Sequence, residues 1–67
     1  MVQNEKYDKF ADFIRNAYQA RDKGELDNAL MYLDTAEKLA PNTFRKPAAW
    51  LKAIDRIRES VLVKKGS

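Results

Sequence analysis

Neither cysteine nor histidine occurs anywhere in the 67 residues. Their absence excludes disulfides, thiolate nucleophiles, imidazole bases and the two commonest transition-metal ligands. With only two glycines there is no glycine-rich phosphate loop, and Ser60 has no histidine to activate it. Long apolar runs are missing as well. Glu5, Lys6, Asp8, Lys9, Asp12 and Arg15 punctuate the N-terminal stretch, which predicts neither a signal peptide nor a membrane-spanning segment. Together these absences predict a cytoplasmic protein that is no enzyme and has no cofactor, metal, membrane partner or small-molecule substrate.

What is present describes a folded chain. Hydrophobic residues make up 45% and charged residues 34%, a globular balance far from the aromatic-poor profile of disordered segments. The length allows one domain, residues 1–67. A core of this size supplies only about 3–5 kcal/mol without a staple or a partner.

The formal net charge of +3 is unevenly spread. Through Thr43 there are 6 Lys/Arg against 8 Asp/Glu, a balance of −2, and from Phe44 onward there are 7 against 2, a balance of +5. A basic C-terminal third is compatible with nucleic acid, an anionic surface or an acidic protein, and equally with an ordinary solvated helix.

Three amphipathic segments follow one another. Tyr7, Phe10, Ala11, Ile14, Ala17, Tyr18 and Arg21 recur at the spacing of one helical face, predicting helix 1 over about 5–23, with Gly24 as its stop. Leu26, Ala29, Leu30, Leu33, Ala36, Glu37 and Ala40 predict helix 2 over about 25–40, ended by Pro41 and Asn42. Phe44, Ala48, Trp50, Leu51, Ile54, Ile57, Val61 and Leu62 predict helix 3 over about 44–63, with Pro47 at a first helical position. The link between helices 1 and 2 is short enough to demand an antiparallel hairpin. The expected fold is all-α, a hairpin packed against a third helix.

Residues 13–42, most strongly GELDNALMYLDTAEKLAPN from Gly24 to Asn42, resemble a tetratricopeptide repeat, a helix-turn-helix unit. The small positions of that pattern fall on Ala17, Ala29 and Ala36, the turn glycine on Gly24, the large apolar positions on Phe13 and Leu33, and the terminal proline on Pro41. Asn16 and Ala20 depart from the family's leucine and tyrosine, and Leu51 replaces a small residue in the following helix, so helix 3 reads as a cap. An unrelated three-helix bundle, or one of the microtubule-interacting-and-trafficking type, would share part of the pattern.

The resemblance implies a non-enzymatic interaction module, an adaptor gripping a helix or peptide. One repeat cannot bury its own apolar face, so a protein partner or a homodimer is implied too. In such repeats the first helix lines the groove, making Ile14, Tyr18, Arg21 and Asp22 the groove candidates. Phe10, Phe13, Phe44 and Trp50 read as core packing, and Tyr7, Tyr18 and Tyr32 as rings with wet hydroxyls.

Read from the residues themselves, helix 3 carries a basic face. Arg45, Lys52 and Arg56 lie opposite its apolar side, with Lys46, Lys64 and Lys65 near its ends, and Asp55 and Glu59 partly pair these cations off. Such a face could contact nucleic-acid phosphates without reading sequence. The carboxylate pairs Asp8/Asp12, Asp34/Glu37 and Asp55/Glu59 each share a helical face and read as solvated surface rather than as acid–base or metal sites.

Overall fold

A computed structural model describes residues 5–66 as three α-helices, α1 (Glu5–Lys23), α2 (Leu26–Thr43) and α3 (Ala48–Gly66), with no strand among them. Helix α1 ends where expected and for the expected reason. Gly24 adopts φ +82°, its N–H donates to the Arg21 carbonyl at 3.1 Å, and the Glu25 N–H donates to the Ala20 carbonyl at 2.8 Å. This pair of bonds is a Schellman closure, which satisfies two of the carbonyls a helix end leaves without partners. The Glu25 carbonyl then accepts from the Ala29 N–H at 3.0 Å, so α2 starts at once and folds back along α1.

Two boundaries differ from the expected ones. Pro41 does not end α2; the helix runs through it to Thr43. A proline in the last turn forfeits one hydrogen bond, and its neighbours hold the turn. The Phe44 N–H donates to the Ala40 carbonyl at 2.9 Å, and the Thr43 hydroxyl donates to the Leu39 carbonyl at 2.8 Å. Helix α3 starts at Ala48, after Phe44 and after Pro47, and continues past Val63 to Gly66. Pro47 is the residue before the helix, and its carbonyl accepts the first bond, from the Leu51 N–H at 2.9 Å.

The core is built on small residues between α1 and α2. Ala17 and Ala20 of α1 and Ala29, Ala36 and Ala40 of α2 are buried, and their size lets the two backbones approach. Leu33 lies at the centre of the core with Phe10, Ile54, Ile57 and Val61, so α2 packs against both neighbours. Helix α3 runs parallel to α1. Phe10 meets Trp50 near the start of each helix, and Arg21 meets Ser60 near their ends.

Phe44, in the loop before α3, stacks on Trp50 with centroids 5.3 Å apart and meets Phe10 edge-on at 5.1 Å and Tyr7 at 6.0 Å. This cluster pins the loop to α1, each ring contact adding about 0.5–1.5 kcal/mol beyond area burial. Trp50 is nevertheless 36% exposed, and Leu62 is half exposed, so neither is the core residue its spacing suggests. Trp50 stands at the rim of the ring cluster. Leu62 lies in the last turns of α3, on the side facing solvent.

Candidate functional site: an apolar groove and a basic face

An open groove of about 340 Å³ runs along one flank of α1. Tyr7, Phe10, Ala11, Ile14 and Tyr18 supply its apolar lining from α1 and Trp50 closes it from α3, while Arg15, Gln19 and Asp22 are its polar members. Local sequence explains the depression. Ala11 is a small residue with Tyr7, Ile14 and Tyr18 at its helical neighbour positions, so larger side chains stand around a bare stretch of backbone. The opposite flank of α1 is occupied, since Phe13 packs there against Tyr32 of α2 with centroids 6.3 Å apart. A smaller depression of about 160 Å³ at the α1–α2 turn includes Asn16, Lys23, Glu25 and Asn28 and offers little apolar surface for anchoring.

Of the four residues expected at a groove, Ile14, Tyr18 and Asp22 line this one. Arg21 lies beside it with a supporting role. Its guanidinium sits 5.0 Å from the Tyr18 ring centroid, donates to the Ser60 hydroxyl at 2.9 Å, and approaches Asp22 at 3.8 Å. These contacts hold the Tyr18 ring as a wall of the groove and tie α1 to α3. Tyr7, Phe10, Ala11 and Trp50 were not among the expected groove residues. The placing of Ala11 among Tyr7, Ile14 and Tyr18 was a usable signal for the α1 members. Trp50 had none, because its position depends on how α3 crosses the ring cluster.

The six residues of the basic face divide into two groups. Lys64 donates to the Arg21 carbonyl at 3.5 Å and Lys65 pairs with Asp27 of α2, so both reach back across the bundle. Arg45, Lys46, Lys52 and Arg56 are exposed, and none forms an ion pair or side-chain hydrogen bond among the described residues. Asp55 does not neutralise them. It accepts from Arg58 at 3.1 Å.

Arg58 is the electrostatic centre that its sequence context does not reveal. Its guanidinium also reaches Glu37 at 2.8 Å and Asp34 at 3.0 Å, so carboxylates from α2 and α3 converge on one cation. The hydrogen bond to Glu37, opposed by partial burial and reinforced by the three negative charges, raises its pKa above the usual arginine value. The Asp34/Glu37 pair therefore docks α2 to α3 rather than merely facing solvent, while Asp55 pairs with Arg58 within α3.

Among the described residues no three acidic groups are placed to hold a metal ion, and no helix is long and apolar enough to cross a membrane. Compared with protein families, curated proteins and solved structures, the chain matches none.

Proposed function

We propose that this chain is a non-enzymatic protein-interaction module, a tetratricopeptide-like hairpin with a capping helix, that grips a partner helix or peptide in the groove along α1. The observation that carries the reading is the groove itself, an open apolar channel with aromatic walls and a few polar groups at hand. A helix laid into such a channel docks through side chains spaced at three and four residues, and aromatic rings are the usual anchors of such contacts. Support for the repeat-like reading comes from Ala17, Ala29 and Ala36, which are fully buried at the positions where the pattern has small residues. The exposure of Tyr7, Tyr18 and Trp50 leaves apolar area for a partner, or a second copy of the chain, to cover.

Selection from a displayed library of amphipathic helical peptides tests this, with Trp50 fluorescence as the direct readout. Selected peptides are expected to change the Trp50 emission saturably. Ala11→Arg, which fills the groove floor, is expected to weaken them about tenfold or more, equivalent to about 1.4 kcal/mol. A library yielding no binders, or only binders indifferent to Ala11→Arg, sinks the reading. Light scattering over a concentration series separates self-association from capture of a different chain.

A further inference from the structure

We propose that the outer face of the first half of α3, from Ala48 to Arg56, together with the loop before it, is a second binding surface that takes the sugar-phosphate backbone of a nucleic acid duplex. This surface is separate from the α1 groove and does not depend on the groove's function. Its first basis is the way the charges of α3 pair in the folded chain. Counted along the sequence, Asp55 interrupts the cations of α3. In the structure Asp55 pairs with Arg58, whose guanidinium also takes Asp34 and Glu37, and Lys52 and Arg56, exposed on successive turns, form no ion pair among the described residues. Arg45 and Lys46 extend the same basic segment into the loop. Glu59, one turn beyond Arg56, is the acidic residue that bounds it.

The second basis is what accompanies the cations. Ala48 and Ala49 are exposed at the start of the helix, and Ala49, Lys52 and Arg56 follow one another at the spacing of a single stripe. The stretch from Ala49 to Arg56 on that stripe offers no large apolar side chain. A peptide helix needs apolar anchors to dock, and a membrane surface needs aromatic or leucine side chains to insert. A surface of cations over small residues fits instead a polymer of dense, regular negative charge, bound through counterion release and without sequence readout.

The test is anisotropy of a labelled mixed-sequence DNA duplex titrated with the full chain over a series of salt concentrations. Four neutralised phosphates give a logarithmic salt slope of about −3.6, so each doubling of salt weakens binding about twelvefold. Lys52→Gln with Arg56→Gln is expected to cut the slope to about −1.8, or about 3.5-fold per doubling. Lys9→Gln with Lys38→Gln removes the same charge from α1 and α2 and is expected to leave the slope unchanged. All four are exposed, so helical circular dichroism is expected to be the same in each variant. Absence of duplex binding at low salt overturns the proposal, as does equal weakening by the two double variants, which would reduce the effect to net charge. Displacement of the duplex by an equal charge of polyglutamate, or equal Lys52- and Arg56-dependent binding to phosphatidylserine vesicles, overturns it in favour of an acidic protein or a lipid surface.

Discussion

Replacing Arg58 with methionine keeps much of the apolar stem and removes the guanidinium, which isolates what the ion cluster contributes. The guanidinium lies 2.8–3.1 Å from carboxylates of Glu37, Asp34 and Asp55, and the Arg58 side chain is 26% exposed. Its partners are more open, at 44%, 66% and 66%, so solvent screening holds each pair to about 0.2–1 kcal/mol. The Asp55 pair is internal to α3, and only the other two fasten α3 to α2. Summed over the three, and allowing for the better burial of methionine, the expected loss is about 1 kcal/mol. That is about a fifth to a third of the roughly 3–5 kcal/mol open to a domain of this length. It corresponds to a fall in Tm of about 4–8 °C.

Denaturant unfolding followed by helical circular dichroism reads the loss directly. Raising salt from about 0.1 M to 1 M shortens the screening length from about 10 Å to 3 Å, so the difference between the two proteins should shrink. A double-mutant cycle with Glu37→Gln should return a coupling of about 0.5 kcal/mol or more. Because the arginine pKa is raised, the guanidinium's contribution is complete below its unfolded value and is lost only as pH rises through the folded one, at strongly alkaline pH. Arg58→Met with unchanged stability at low salt, or with a loss indifferent to salt, refutes the argument that this cluster docks α3.

Leu33 is fully buried between α1 and α3, so Leu33→Ala should cost about 2–5 kcal/mol and leave much of the population unfolded at room temperature, whereas Leu33→Met should cost under about 1.5 kcal/mol; denaturant midpoints distinguish the two. Gly24 and Gly66 offer a matched pair, since an added Cβ meets nothing within 4 Å at either. Gly24→Ala is expected to destabilise by about 1–2 kcal/mol through its positive φ alone, and Gly66→Ala, at the last residue of α3, to be close to neutral. Equal thermal shifts for both would show that the backbone conformation at Gly24 is not what the turn depends on.

The three helices were legible because each carries an apolar stripe at helical spacing, and the hairpin because Gly24 follows the first stripe directly. Their ends were less so. A proline is a stop only where its missing bond is not compensated, and around Pro41 the Thr43 hydroxyl and the Phe44 N–H supply that compensation. Part of the groove could be read from α1, where Ile14 and Tyr18 share a face with Ala11. The remainder needed Trp50, brought to α1 by its contacts with Phe44 and Phe10.

Local periodicity and chemistry, which act over a few residues, determined that this chain is helical, that its first two helices turn back on each other, and that it lacks the side chains of thiol or imidazole catalysis. The pairing of charges between helices has no period in the sequence. Tertiary structure alone decided that Arg58 also gathers Asp34 and Glu37 from α2, that Lys64 and Lys65 fold back to α1 and α2, and that Arg45, Lys46, Lys52 and Arg56 form no ion pair among the described residues. Which cation meets which carboxylate depends on the angle and register at which helices pack, and those follow from how alanines, rings and Leu33 fill the space between them.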